Sequence, residues 1–74
     1  MSKIPVIKAK DLERVLLNLG FNKIRQKGSH VFYRHPDGRY TVIPHHPSGD
    51  LAPNLLNMIL KEIKLDRDKL LELL

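Results

Sequence analysis

Apolar residues recur at helical spacing near both ends of the chain and at strand spacing between them. Leu12, Val15, Leu16 and Leu19 fall at i, i+3, i+4 and i+7, which predicts an amphipathic helix over 9–19. Asp11 and Glu13 suit its positive N-terminal end, and Gly20 supplies a left-handed cap. Before it, residues 4–8 read as an extended arm, because Pro5 disfavours an earlier helix. Residues 21–27 alternate loosely and stop at a Gly28-Ser29 turn, after which Val31-Phe32-Tyr33 is the β-branched and aromatic run that strands prefer. His35-Pro36-Asp37-Gly38-Arg39 is a hairpin signal, with Pro36 preset at the second turn position and Gly38 free to take positive φ. Tyr40-Thr41-Val42-Ile43 returns as a third strand and ends at Pro44.

Residues 45–52 read as a loop rich in His, Pro, Ser and Gly. Pro53 then stands where the first turn of a helix tolerates a missing N–H. Leu56, Ile59, Leu60 and Ile63 repeat the helical stripe, widened by Leu55 and Met58, and predict a helix over 53–63. Asp66 reads as the N-cap of a last short helix, with Leu65 and Leu70 placed as a hydrophobic staple. The leucines that follow, Leu71, Leu73 and Leu74, close the core or serve a partner, and core closure suits so small a chain better. The order is helix, three strands, helix, short helix. That is an α+β domain with helices on one face of an antiparallel sheet, leaving the other face and the rim loops for function.

Composition narrows the class. A chain of 74 residues holds one small domain, 1–74, and buries too little apolar surface for more than marginal stability without a staple, a metal or a partner. Cys is absent, which suits a reducing compartment, and the apolar runs are too short and charge-broken to span a membrane. The N-terminus lacks the apolar stretch of a signal peptide, so a cytoplasmic protein is expected. Thirteen Lys and Arg oppose eight Asp and Glu, a formal charge of +5, which favours polyanionic partners. The balance is uneven: eight of the cations precede residue 35, and five of the acids lie from Asp50 onward.

The candidate chemistry sits in that positive half. In Gln26-Lys27-Gly28-Ser29-His30 a glycine turn delivers an imidazole among Lys23, Arg25, Lys27, Arg34 and Arg39. Imidazole exchanges protons near neutrality, and the surrounding cations suit a phosphate-bearing target. The other histidines are His35, beside the hairpin turn, and His45 and His46, just after the third strand. Antiparallel geometry brings the end of strand three towards the start of strand two, so His30 is expected to approach the His45-His46 pair. Two chemistries suit converging histidines. A metal site lacks carboxylates or thiolates at a recognised ligand spacing, so none is assigned. General acid–base catalysis on an RNA phosphodiester needs a base for the 2′-hydroxyl proton, cations for the charge building on phosphorus oxygens and an acid for the leaving oxygen. Phe32, Tyr33 and Tyr40 are alternatively base-stacking groups of a single-strand binder, although at least half of them must fill the core.

Several elements in this order resemble the HicA toxin family: Leu19-Gly20-Phe21, Gln26-Lys27-Gly28-Ser29-His30, Arg34-His35-Pro36-Asp37-Gly38-Arg39, Val42-Ile43-Pro44 with His46, and Ile59-Leu60-Lys61. The resemblance covers essentially the whole chain. It implies a double-stranded-RNA-binding-like fold, α-β-β-β-α, and an endoribonuclease, an mRNA interferase that cleaves messenger RNA without a cofactor and arrests translation. It also implies a HicB-type antitoxin that masks the active site. The family's catalytic histidine matches His30, and Gly28, Ser29 and His46 match positions that support it. Lys23, Arg25, Lys27 and Arg34 are the candidate RNA contacts. Lys64 stands where many relatives have Gly after the second helix, and Asn54 follows Pro53 where Gly is frequent. A non-catalytic duplex-RNA-binding module is the alternative reading on the same fold.

Overall fold

A computed structural model describes residues 6–74. The elements run β1 (Ile7–Lys8), α1 (Ala9–Asn18), β2 (Asn22–Lys27), β3 (His30–Arg34), β4 (Tyr40–Pro44), β5 (Asp50–Leu51), α2 (Pro53–Glu62) and α3 (Arg67–Leu73). β2, β3 and β4 form an antiparallel sheet in that order, giving the α+β, α-β-β-β-α arrangement compatible with a double-stranded-RNA-binding-like fold. Within the expected arm, Ile4 and Pro5 lie outside the described residues. Ile7 and Lys8 are extended as expected, but they also pair with Leu51 and Asp50 in a second, two-stranded ribbon. Residues 45–52 are therefore not wholly loop. A two-residue strand is too short to show a period, and its partner lies more than 40 residues away, so only the folded chain reveals it.

Both long helices stop by the same device. Past α1 the N–H of Gly20 donates to the Leu17 carbonyl and that of Phe21 to Leu16; past α2, Lys64 donates to Lys61 and Leu65 to Leu60. This is the paired-bond ending that needs one left-handed residue, and each time an apolar side chain follows it. Gly20 takes that conformation with φ +101°, and Lys64 takes it with φ +55° despite its side chain. The Cβ that Gly20 lacks would lie 3.1 Å from the His35 ring, which is held between the Leu19 carbonyl and the Asp37 N–H. Asp66 caps α3, its carboxylate accepting from the Lys69 N–H at 2.7 Å.

The helices and the sheet enclose one cluster of buried side chains, among them Leu12, Val15 and Leu16 of α1, Val31 and Tyr33 of β3, Ile43 of β4 and Leu56, Ile59 and Leu60 of α2. Thr41 is buried with them and donates to Glu62 at 2.8 Å, tying β4 to α2. The C-terminal leucines divide: Leu70 is buried and Leu73 packs on the core, whereas Leu71 and Leu74 are exposed. Arg39, expected among the cations around His30, does a different job. It donates to Asp37 and to the Ile63 carbonyl at the end of α2, and lies 5.0 Å above the Phe21 ring.

Replacing Lys64 by Gly removes the side-chain penalty of the left-handed region and raises stability by up to about 1 kcal/mol. Gly20→Ala meets both the strained φ and the fixed His35 ring and lowers stability by about 1–3 kcal/mol. Urea unfolding of the two variants should move the midpoint in opposite directions.

Candidate active site

The site begins with the alternation of β3. Val31 and Tyr33 point into the core, so His30, Phe32 and Arg34 stand on the sheet face that the helices leave open. The turn before it lets Gly28 adopt φ +59°, which a glycine takes freely, and the strand resumes at His30. His30 pairs with Lys27 on β2 and with Pro44 on β4. The His30 side chain is exposed, and among the described residues none hydrogen-bonds its ring.

The cations of β2 do not share one face. Plain alternation would align Lys23, Arg25 and Lys27, but a bulge at Ile24 makes Lys23 the partner of Tyr33 and Arg25 the partner of Phe32. Arg25 and Lys27 therefore join His30 and Phe32 on the open face, and the Arg25 guanidinium lies 4.5 Å from the centre of the Phe32 ring. Lys23 turns to the helix side, where its ammonium sits 3.5 Å from Glu13. The structure thus brings together Arg25, Lys27, His30 and Arg34, and separates Lys23 from them. Of the three aromatic candidates, Tyr33 fills the core, Phe32 is half-buried on the open face and Tyr40 is exposed beside it.

The expected meeting of histidines happens in the backbone and not in the rings. The His45 N–H donates to the Ser29 carbonyl at 2.6 Å, which holds the turn before His30 against the chain leaving β4. The His45 ring points to the helix side. Its Nε2 lies 3.0 Å from the Tyr33 hydroxyl and 3.7 Å from Glu13. Tyr33 also bonds Glu13, and a carboxylate can only accept, so the hydroxyl proton goes to Glu13 and the Tyr33 oxygen accepts from His45 Nε2–H. Burial first, and then the adjacent Glu13, push the Tyr33 hydroxyl well above its ordinary pKa of 10. His46 is exposed and lines a cavity of about 300 Å³ with Lys8, Lys10 and His45; its carbonyl accepts from the Gly49 N–H. His30 does not line that cavity.

Sequence reasoning missed the Glu13–Tyr33–His45 cluster. Glu13 lies on the polar side of a helical stripe, and nothing in its spacing announces a partner 20 residues on. Among the described residues no three of His, Cys, Asp and Glu gather as a metal site, and no helix is long and apolar enough to cross a membrane. What the open face offers is one exposed imidazole, three cations and two aromatic rings.

The sequence model of the family described as HicA toxin of bacterial toxin-antitoxin matches residues 9–65. No curated protein matches the chain significantly.

The cluster makes a prediction at alkaline pH. A tyrosine whose folded pKa is raised binds its proton more tightly when folded, so stability is intact below about pH 10 and falls as pH rises beyond it. Tyr33→Phe abolishes that alkaline fall. At neutral pH it costs about 1–3 kcal/mol, because Glu13 and His45 lose their shared partner. Thermal melts of both proteins at pH 7 to 11 test both effects.

Proposed function

The chain belongs to the HicA toxin family, and from that premise we propose that it is an endoribonuclease that cleaves messenger RNA by metal-independent acid–base catalysis centred on His30. The observation that carries the reading is the setting of His30: exposed, without a hydrogen-bond partner among the described side chains, and opposite Lys27 on a face that also holds Arg25 and Arg34. In the reaction, the 2′-oxygen attacks phosphorus as its proton passes to a base. The bond from phosphorus to the 5′-oxygen breaks, and that oxygen takes a proton from an acid. His30 performs one of these transfers. Lys27, opposite His30, and Arg25 beside it offset the negative charge that builds on the phosphorus oxygens, and Arg34, four residues along β3 on the same face, holds the RNA chain further along. DNA lacks the 2′-hydroxyl and is not a substrate for this chemistry.

The remaining residues support His30 from behind. Gly28 supplies the turn, and Ser29 anchors it through the bond from the His45 N–H. His46 lines the cavity beside this turn together with Lys10, whose charge adds to the attraction for RNA, and with Lys8, which is paired with Asp50. Lys23 is committed to Glu13, and its contribution to RNA is long-range only. The partner is a HicB-type antitoxin that covers His30, and the setting is the cytoplasm, where messenger RNA is found.

Purified chain incubated with end-labelled RNA in EDTA should cut it. His30→Ala should lower the rate about 100-fold or more while leaving the melting temperature nearly unchanged, because the side chain is exposed. Cleavage by His30→Ala at the unmutated rate overturns the assignment. Tight duplex binding with no cleavage by the unmutated chain selects the non-catalytic module instead.

A further inference from the structure

The open face carries more than phosphate chemistry needs. Arg25, Phe32 and Tyr40 form a row across all three strands: the guanidinium lies 4.5 Å above the Phe32 ring, and the Phe32 and Tyr40 ring centres are 6.2 Å apart with planes at 44°. Tyr40 is 43% exposed, and Phe32 is only half-covered although it sits at the middle of the central strand. Its strand partner Val42 is likewise half-exposed on that face. The three strands together contain no Asp or Glu, and Arg34, the partner of Tyr40, adds a second cation to the row. Along β3, His30 is two residues from Phe32, about 6.6 Å away on the same face.

We propose that this face is a stacking platform for the unpaired bases of single-stranded RNA. Bases stack on Tyr40 and on the Arg25–Phe32 pair, and the backbone is held by Lys27 and Arg34. Aromatic rings and guanidinium planes are the surfaces on which splayed bases stack, and a face combining them with acid-free positive charge matches a strand that is both flat-ringed and anionic. A protein partner of the same face would have to place acids opposite three cations and apolar groups over two rings. RNA brings both features in each nucleotide. A duplex cannot use the platform, because its bases are already paired and stacked on one another. The substrate class is thus single-stranded RNA, with little base preference, since every base has a π-face. Placing the scissile phosphate at His30 rests on the ribonuclease reading above; the platform itself does not.

Fluorescence anisotropy with a fluorescein-labelled 2′-O-methyl oligonucleotide separates the two, because that strand has no free 2′-hydroxyl and is bound without being cut. Tyr40→Ser and Phe32→Leu should each weaken single-strand binding about 5- to 150-fold, and the same strand annealed to its complement should change less than about twofold. Arg25→Lys, which keeps the charge and loses the plane, should weaken single-strand binding several-fold without altering its salt dependence. Tyr40→Ser and Arg25→Lys lie at exposed positions and carry the test alone if Phe32→Leu unfolds the chain. Unchanged single-strand affinity in these variants overturns the proposal, as does an equal loss for single strand and duplex. Unchanged RNA affinity accompanied by loss of a dimer in sedimentation reassigns the face to a contact between copies and also overturns it. Parallel assays on all-ribose RNA keep the readings apart. Stacking-dependent binding by a chain that never cuts leaves the platform standing and removes the ribonuclease. Cutting with affinity indifferent to Tyr40 and Arg25 does the reverse.

Discussion

Burial of Val31 and Tyr33 determines which side of the central strand meets solvent, and the rest of the site follows from that. β3 is hydrogen-bonded on both edges, so its register cannot drift independently. A slip of one residue would carry Val31 and Tyr33 out to water and drive His30, Phe32 and Arg34 into the core. Displaying the imidazole and packing the core are thus one structural decision. The helices reinforce it by supplying Leu12, Val15, Leu16, Leu56 and Ile59 against the buried side of the sheet.

The bulge at Ile24 performs a second sorting. It inserts one residue between Lys23 and Arg25 and rotates the remainder of β2, so that neighbouring cations meet different surroundings. Lys23 joins Glu13 on the helix side, where the carboxylate already accepts from Tyr33. Arg25 and Lys27 face solvent with the imidazole. Every acid of the described chain lies outside the three strands, which leaves the positive charge of the open face uncompensated by its own sheet. A field of that sign concentrates polyanions at the surface, and it weakens as salt rises.

Behind the displayed face, segments remote in sequence are tied together by polar contacts. The Tyr33 hydroxyl joins Glu13 of α1 to His45 beyond β4, and the His45 backbone steadies the turn that carries His30. The β1–β5 ribbon closes the same region from the other side, with Lys8 and Asp50 paired at 3.2 Å and the Ala9 N–H donating to the Gly49 carbonyl. A small chain without disulfides gains rigidity near its site from such cross-links, because each orders two segments whose own apolar content is slight.

By itself the sequence determined the helices, the three strands and the hairpin, because local periods and turn chemistry encode them within a few residues. Leu12, Val15 and Leu16 announce α1, Pro36 to Gly38 announce the reversal, and Asp66 announces α3. It also singled out His30 among cations, since a glycine turn ahead of a strand is a local signal. Only the tertiary structure decided which neighbours those side chains have. The Ile24 bulge sent Lys23 and Arg25 to opposite faces, and Arg39 went to the end of α2 rather than to His30. Tyr33 was separated from Phe32 and Tyr40, and the His45 ring was bound to Tyr33 while its backbone approached Ser29. The physical reason is common to all of these. Bulges, two-residue strands and polar contacts between distant segments have no period of their own, and their energy appears only once packing has brought their partners together.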